Sequence, residues 1–311
     1  MQDLVVIRRV LQGQNIAVLT LAQADGGMLP AFTAGAHIDL ALGEGLTRQY
    51  SLCSDPNERF HYQIAVLREA QSRGGSAAVH ALCEGDNLRV GAPRNLFALR
   101  EDSAFTLLIA GGIGITPILA MAKALHAQGR AFALHYRGRS RAQMAFLEEL
   151  AAAPFAAQVF LHISDEAGFD PARDLGPARA GTQVCFCGPA GFMDYIESQC
   201  LALGYAKSQL TKEHFSADVD LTGGGFTVTL ARRGVSVQVA QDQTIVQALG
   251  KIGVRVETMC GEGICGTCLC GVKAGQPDHR DSFLTDEERA ANDQMTLCCS
   301  RALTSELVLD L

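Results

Sequence analysis

The segment Cys260-Gly-Glu-Gly-Ile-Cys265-Gly-Thr-Cys268 contains three cysteines, and a fourth, Cys298, follows after a gap of 29 residues. A C-x4-C-x2-C run with a distant fourth cysteine is the ligand spacing of a plant-type 2Fe–2S cluster. Glycines separate these cysteines because a loop around an anionic cluster brings backbone N–H groups close to sulfur, often at positive φ. The spacing therefore predicts a cluster held by Cys260, Cys265 and Cys268, with Cys298 or its neighbour Cys299 as the fourth ligand.

Two other uses of these cysteines fit the spacing less well. Structural zinc sites use paired C-x2-C or Cys/His knuckles, and this segment lacks the second pair. The chain has 11 cysteines, an odd number, and those outside the segment show no pattern of a secreted disulfide framework. We predict that Cys270 is a small packed side chain and that the protein works in a reducing cytoplasm.

Composition limits the classes of protein to which the chain belongs. With 311 residues, 48% of them hydrophobic, the chain can bury two or three cores. The formal net charge of −7 argues against a nucleic-acid partner. Met1–Val6 carries no signal-peptide pattern. The uncharged stretch Ala104–Ala122 has the length of a membrane span, but its central glycines and Thr116-Pro117 indicate a buried strand, a turn and a helix, so we expect no membrane association.

The chain divides into three predicted segments, and we expect a multidomain α/β and β protein. Residues 1–100 contain short strand-like runs between turn signals, which predict an antiparallel β-barrel with one helix near Ser76–Cys83. In residues 103–217, apolar strands alternate with helical stretches, as in an open α/β sheet. Residues 226–311 begin with alternating strands and contain the cysteine segment. The predicted strands are Leu4–Val10, Asn15–Leu21, Ala36–Leu42, Gln49–Cys53, Tyr62–Leu67, Phe105–Ala110, Phe132–Tyr136, Gln158–Ile163, Gln183–Cys187, Phe226–Leu230 and Val235–Val239. The other predicted helices are Ile118–Gln128, Met144–Ala153, Phe192–Leu203 and Thr244–Gly250.

A glycine-rich turn in the second segment predicts a nucleotide site. Gly111, Gly112 and Gly114 lie between a strand and a helix, where a backbone without Cβ atoms can approach a pyrophosphate. Thr116 is the predicted N-cap and Pro117 the predicted first helical residue. The end of a second strand, Cys185-Phe-Cys-Gly-Pro189, is expected to face the same crevice; an ordinary strand-to-helix turn is the alternative.

The choice between NADH and NADPH depends on the residues after the second strand of this segment. An acidic residue that binds the ribose is expected about 20 residues after the glycines. The corresponding place reads Tyr136-Arg-Gly-Arg139-Ser140-Arg141, and this basic loop either accepts a 2′-phosphate or is simply solvated. Charge alone therefore slightly favours NADPH.

The first segment is predicted to bind a flavin. Nicotinamide delivers two electrons as hydride and a 2Fe–2S cluster accepts one, so a flavin is needed to convert between them. Arg48-Gln-Tyr50-Ser51 offers a guanidinium for phosphate, an aromatic ring for the isoalloxazine and a hydroxyl for a ring nitrogen. Gly74-Gly75-Ser76, at a predicted helix start, offers a second anion site. Each motif alone is more often a surface charge or a loop.

Taken together, these motifs resemble the phthalate dioxygenase reductase and vanillate demethylase reductase family over nearly the whole chain. Members join an FMN barrel, a nicotinamide-binding α/β domain and a C-terminal β-grasp ferredoxin. The resemblance rests on Arg48–Ser51, Gly74–Ser76, Pro93-Arg-Asn-x-Phe97, the turn at 111–117, Cys187-Gly188-Pro189, Pro277-Asp-His-Arg-Asp281 and the cysteine segment.

The resemblance implies roles for these positions. It places Arg48, Tyr50 and Ser51 on FMN, and Gly74, Gly75 and Ser76 near its phosphate. It places Gly112, Thr116, Cys187 and Pro189 near the nicotinamide nucleotide, and it makes Cys298 the fourth cluster ligand. Ser51, Thr116 and Cys187 are the implied catalytic residues. Ser140 departs from the family, since a well-known NADH-using member has Asp at this position. Most members of the family nevertheless use NADH, so the resemblance favours NADH.

The function implied is that of a reductase component. It takes electrons from NAD(P)H through FMN and the cluster to a Rieske-type terminal oxygenase or demethylase that acts on an aromatic or similar substrate. Two alternatives remain at this point: a flavin reductase or a reductase for another acceptor such as a haem protein, and a non-enzymatic iron–sulfur sensor.

Overall fold

A computed structural model describes residues 1–43, 45–166, 168–216 and 218–311. Residue 217, which ends the second predicted segment, lies outside the described residues. The chain forms two compact units, Met1–Glu213 and His214–Leu311.

The first unit begins with the predicted antiparallel barrel. Its sheet has the order β4-β3-β6-β1-β2-β5, with β7 paired to β3, and a bridge between Leu52 and Ile64 joins the end of β4 to β5. Alternate residues such as Leu4 and Val6 in β1 point inward and are fully buried. The elements are β1 (Gln2–Gln12), β2 (Ile16–Ala22), β3 (Ala36–Ala41), β4 (Thr47–Ser51), β5 (His61–Leu67), α1 (Gly75–Ala81), β6 (Asn87–Val90) and β7 (Arg94–Asn95).

The same unit continues as a parallel sheet of order β10-β9-β8-β11-β12. Its central strands are almost continuously apolar because helices cover both faces. Helix α2 packs on one face and α5 on the other. The elements are β8 (Phe105–Gly111), α2 (Ile115–Ala127), β9 (Phe132–Gly138), α3 (Leu147–Ala152), β10 (Val159–Ile163), α4 (Pro171–Asp174), β11 (Thr182–Cys187), α5 (Ala190–Ala202) and β12 (Leu210–Glu213).

The predicted starts of two helices that follow strands of this sheet are wrong. Helix α2 begins at Ile115 with Gly114 as its N-cap, because a 3₁₀ turn at Gly112–Gly114 runs directly into it. Thr116 is therefore inside the first turn, where its hydroxyl donates to the carbonyl of Ile113 at 3.1 Å. Helix α3 begins at Leu147 and not at 144, because Phe146 adopts a left-handed backbone with φ of 62°.

The second unit is a mixed sheet with a packed helix, the β-grasp arrangement. Its five strands have the order β14-β13-β19-β15-β17, and β13 and β19 are parallel. Thr244 caps α6 by accepting from the Gln247 N–H at 3.1 Å. The elements are β13 (Phe226–Leu230), β14 (Val235–Val239), α6 (Ile245–Lys251), β15 (Leu269–Ala274), β16 (Pro277–Asp278), α7 (Asp286–Ala291), β17 (Gln294–Thr296), β18 (Arg301–Ala302) and β19 (Glu306–Leu309).

The uncharged stretch Ala104–Ala122 forms β8, the glycine turn and the first part of α2. Across the described ranges, no helix has both the length and the apolar character required of a membrane span.

Candidate redox sites

The glycine turn lies at the carboxyl edge of the parallel sheet, against the end of β11. A Cβ on Gly114 would lie 2.2 Å from the carbonyl oxygen of Cys187, and one on Gly111 would lie 2.7 Å from the ring of Phe192. Gly112 has a φ of 55°, in the left-handed region. Side chains are thus excluded at Gly111 and Gly114, which keeps the backbone accessible there, at the crevice where open α/β sheets bind nucleotides.

Cys187 is fully buried at this edge, where its strand ends. Burial, and then the charge of Glu213 beside it, raise the pKa of the Cys187 thiol well above its usual range. The thiol therefore stays protonated at neutral pH, and it can donate a weak hydrogen bond and fill space but is not a nucleophile.

Ser51 of the barrel meets Glu213 of the parallel sheet. The Ser51 hydroxyl donates to the Glu213 carboxylate at 3.0 Å, and Glu213 is paired in register with Cys187. Burial raises the pKa of Glu213 to about 8, against the opposing effect of the Ser51 hydrogen bond. Ser51, Cys187 and Glu213 therefore form a protonated, uncharged group at pH 7 between the two sheets.

Sequence reasoning missed Glu213. It lies 162 residues from Ser51, and no local motif surrounds it. The signal that could have found it is positional: it ends the strand beside the one that ends at Cys187, so both side chains reach the same sheet edge.

The barrel motifs converge on a cradle beside α1. A Cβ on Gly75 would lie 2.6 Å from the Arg48 side chain and 3.2 Å from the Tyr50 hydroxyl, so only glycine fits between them. The Arg48 guanidinium donates to the carbonyls of Thr47 at 2.9 Å and Arg73 at 3.0 Å. Burial raises the pKa of Tyr50 to about 12, so its hydroxyl remains a donor. A fixed guanidinium, an aromatic ring and a close backbone suit a flavin phosphate.

Ser76 and Gly74 flank this cradle. Gly74 is the N-cap of α1 with a φ of 91°, and the Ser76 hydroxyl donates to Ser72 Oγ at 3.0 Å and accepts from the Glu69 N–H at 3.1 Å. The Ser76 side chain thus orders the loop that leads into α1.

The basic loop after β9 follows the sheet edge but is only partly available to a nucleotide. Arg141 donates two hydrogen bonds to Glu166, at 2.8 and 3.0 Å. Ser140 precedes a 3₁₀ turn, and Arg139 is exposed. Of the two alternatives for this loop, the Arg141–Glu166 pair favours the solvated one at Arg141, while Arg139 and Ser140 stay candidates.

In the second unit, the four cysteine sulfurs adjoin one another in a row. Cys260 contacts Cys265, Cys268 contacts Cys298, and Cys298 also contacts Cys260. Among the described residues, no three of these sulfurs lie within 4.8 Å of one another. One tetrahedral ion would need all four sulfurs about 3.8 Å apart at its Zn–S distance. The described sulfurs therefore lack the compact tetrahedral arrangement that one zinc ion needs.

The backbone of the segment turns towards sulfur as predicted. Gly261, Gly263 and Gly266 have φ of 72°, 72° and 69°. The Gly263 N–H donates to Cys298 Sγ at 3.2 Å, and the Glu262 N–H donates to Cys260 Sγ at 3.3 Å. The neighbouring thiols of Cys265 and Cys298, with that Glu262 N–H, hold the pKa of Cys260 well below its usual range. The same hydrogen bonds raise the pKa of the Cys265 and Cys298 thiols, which keep the shared protons. The two backbone N–H groups aimed at sulfur are what a loop around an anionic cluster requires.

The segment Pro277–Asp281, with Ser282 directly after it, lies against this loop. The Asp281 carboxylate accepts from the Leu284 N–H at 2.7 Å, and the Ser282 N–H donates to the Gly263 carbonyl at 3.0 Å. Cys299 lies 3.3 Å from the Thr296 hydroxyl, and Cys270 is buried in the core, as expected for a packed side chain.

Comparison with known proteins identifies the family of the chain. Residues 228–303 match the model of the 2Fe-2S iron-sulfur cluster binding domain. Over its full length the chain is 45% identical to the vanillate O-demethylase oxidoreductase of Pseudomonas sp. (strain HR199 / DSM 7063), and it covers 100% of that protein. This chain belongs to the family of vanillate O-demethylase and phthalate dioxygenase reductases.

Solved structures support membership of this reductase family. Phthalate dioxygenase reductase, described as a modular structure for electron transfer from pyridine nucleotides to [2Fe-2S], matches with a TM-score of 0.75 and 35% identity, covering 100% of this chain and 98% of its own. An intact type IV self-sufficient cytochrome P450 monooxygenase matches with a TM-score of 0.89 and 40% identity. The reductase spans only 41% of that longer chain.

Membership confirms the predicted activity and cofactors. The protein is an NAD(P)H-dependent iron–sulfur flavoprotein reductase, with FMN and a 2Fe–2S cluster, and its partner is an oxygenase component. A non-enzymatic iron–sulfur sensor is excluded, since the relatives are named as oxidoreductases and reductase subunits.

Proposed function

We propose that this reductase supplies a Rieske-type terminal oxygenase that demethylates or hydroxylates an aromatic acid, and that NADH is its electron donor. The contact between Ser51 and Glu213 supports direct electron transfer from nucleotide to flavin, because it brings the barrel and the nucleotide edge of the sheet within hydrogen-bond distance. The full-length similarity to a vanillate O-demethylase oxidoreductase supports the choice of acceptor.

We infer the following roles at the flavin and nucleotide. Arg48, Tyr50, Gly74, Gly75 and Ser76 hold FMN, since Gly75 and the Arg48 stem form one cradle. When bound, FMN would supply the conversion between two-electron hydride transfer and one-electron transfer to the cluster. Ser51 orients the reacting ring, and Cys187 with Glu213 excludes water and charge beside it.

The nucleotide lies, in this proposal, along the carboxyl edge of the parallel sheet. The residues that hold it share that edge and are Gly111, Gly112, Gly114, Thr116, Pro117, Arg139, Ser140, Cys187, Gly188 and Pro189. Arg141 donates two hydrogen bonds to Glu166, which makes this guanidinium less available to a 2′-phosphate. That supports NADH over NADPH.

The cluster ligands proposed are Cys260, Cys265, Cys268 and Cys298. Cys298 accepts the Gly263 N–H and adjoins two other ligands, whereas Cys299 lies against Thr296. We also propose three domains, 1–100, 103–217 and 226–311, and a cytoplasmic location, which all eleven unpaired cysteines support.

A cluster-ligand variant tests this function. In Cys265→Ser we expect reduction of a dye by NADH to continue, while electron delivery to a vanillate-type oxygenase falls at least 100-fold. Iron, acid-labile sulfide and flavin are measured on the same sample. Cys83→Ser, an exposed free cysteine, is the matched control and should behave as wild type. Undiminished delivery by Cys265→Ser would contradict the proposed route.

A different acceptor is the second candidate. The similarity to a self-sufficient cytochrome P450 structure favours a haem protein as an alternative acceptor. Parallel assays with a Rieske-type oxygenase and with a P450 haem domain decide between them, and faster product formation by the P450 would overturn the proposal.

A further inference from the structure

Three side chains with metal-ligating chemistry meet on the sheet face that α4 and α5 cover. His135 comes from β9, His162 from β10 and Asp174 from the end of α4, and one ligand atom of each lies within 4.8 Å of the other two. His135 and His162 are 5% and 6% exposed, and the Asp174 side chain is 9% exposed. None of these residues is among those assigned to the nucleotide, although His162 is in register with Arg137 and, through it, with Gly111 at the carboxyl edge of the sheet.

The two imidazoles face each other through nitrogen. His135 Nδ1 lies 3.0 Å from His162 Nε2, and the ring planes differ by 16°. His162 Nδ1 lies 3.7 Å from Asp174 Oδ2. A tetrahedral zinc ion with Zn–N of about 2.0–2.1 Å separates two nitrogens by roughly 3.3 Å. The observed spacing is thus a few tenths of an ångström short, and both rings must also turn so that their lone pairs converge on the ion.

The protonation states suit a cation. Burial lowers the pKa of His135 to about 4 and also lowers the pKa of His162. Burial raises the pKa of Asp174, but the hydrogen bonds from Arg173 and from the Asp170 N–H outweigh it, and the net shift is downward. At pH 7 the group therefore offers two neutral imidazoles and one carboxylate, the forms that bind metals.

A cavity of about 490 Å³ adjoins the group and gives access to it. Phe105 and Thr182, the first residues of β8 and β11, also line it. His135 and Asp174 belong to its wall. A ligand to the open position of an ion, such as water, thus has room in the cavity.

Arg173 opposes binding. Its guanidinium donates to both oxygens of Asp174, at 2.7 and 2.8 Å, and its side chain is 60% exposed. An ion would have to displace this arginine from at least one oxygen. Because the arginine is exposed, it can turn into solvent.

We propose that His135, His162 and Asp174 form a binding site for a divalent transition-metal ion such as Zn²⁺, with its fourth position open to the cavity. Coordination replaces the hydrogen bond between the two imidazoles. The proton of that bond moves to the other nitrogen of the same ring, so both rings stay neutral. The bound ion links α4 to β9 and β10.

Zinc binding to the complete holoprotein tests the proposal. Equilibrium dialysis in a Cys83→Ser background, which removes an exposed thiol, gives the zinc bound per chain, and iron is counted to show that the cluster is intact. We expect one zinc per chain, and X-ray absorption at the zinc edge should show nitrogen and oxygen neighbours. A sulfur shell, or no zinc above background, would overturn the proposal.

Variants separate this site from general zinc affinity. His162→Gln should weaken binding about 100-fold and Asp174→Asn about tenfold, whereas Arg173→Gln should tighten it severalfold. His61→Gln is the matched control, since His61 is exposed and lies 3.7 Å from Glu58. If His162→Gln does not fold, Asp174→Asn and Arg173→Gln still decide, because their predicted shifts are opposite. Equal affinity in both of these variants and wild type would refute the site.

Discussion

At the residue scale, the buried carboxyl of Glu213 governs a pH dependence. Its pKa of about 8 is above the ordinary value of 4.5, so the folded protein holds a proton that the unfolded chain releases above pH 4.5. The resulting stabilisation is complete below pH 4.5 and is lost as pH rises towards 8. We expect Glu213→Gln to lose less thermal stability than wild type between pH 5 and 8. Each kcal/mol of that difference should shift the melting temperature by about 2–4 °C in a unit of this size.

The same substitution has a kinetic consequence. In wild type, anaerobic flavin reduction by NADH should change in rate around pH 8, where the carboxylate forms beside Ser51. In Glu213→Gln that change should be absent, and stopped-flow absorbance measures it. Asp102→Asn, which removes an exposed carboxylate of the same unit that pairs with Arg100, serves as control and should keep the wild-type pH profile. A wild-type profile in Glu213→Gln would show that another group titrates there.

At the element scale, one lysine ties helix α2 to the barrel strand that carries Ser51. Lys123 Nζ donates to the carbonyl of Cys53 at 2.9 Å and pairs with Glu149 at 2.7 Å, and its side chain is 18% exposed. Lys123→Met leaves a mostly buried carbonyl without its donor, which costs about 1–3 kcal/mol. We expect flavin content to stay near wild type while hydride transfer slows, because the position of Ser51 is less well fixed.

The control for this prediction lies on the surface. Lys273 pairs with Asp310 at 3.3 Å and is 56% exposed, so Lys273→Met should change stability by less than ~1 kcal/mol. Lys123→Arg, which keeps a donor, should recover part of the hydride-transfer rate. Equal losses of stability in Lys123→Met and Lys273→Met would contradict a specific tie.

Elements with strong local signals were predictable, and contacts between distant elements were not. The apolar run Phe105–Ala110 and the alternation in Phe226–Leu230 predict β8 and β13 to within a residue. Thr116-Pro117 has the chemistry of a helix start, but the 3₁₀ turn before it begins the helix earlier. The cysteine spacing predicts the loop because its ligands are mostly local.

The Ser51–Glu213 contact and the histidine pair were missed for one physical reason. Each joins residues from separate strands, and only strand order and register bring them together. His135 and His162 look like isolated strand residues until β9 and β10 pair in parallel. Periodicity shows which face a side chain occupies but not which strand lies next to it.

At the scale of the whole molecule, the division into two compact units predicts that the chemistry can be divided too. Met1–Glu213 contains every residue assigned to FMN and nucleotide, and His214–Leu311 contains the four cysteines. A chain ending at residue 225 should therefore bind FMN and reduce ferricyanide with NADH at a rate within about threefold of the full-length protein. It should support no product formation by the oxygenase, because no cluster accepts single electrons from the flavin. Adding the separate piece 226–311 with its cluster should restore slow, concentration-dependent turnover. Full oxygenase turnover by the shortened chain alone would show that electrons leave directly from the flavin.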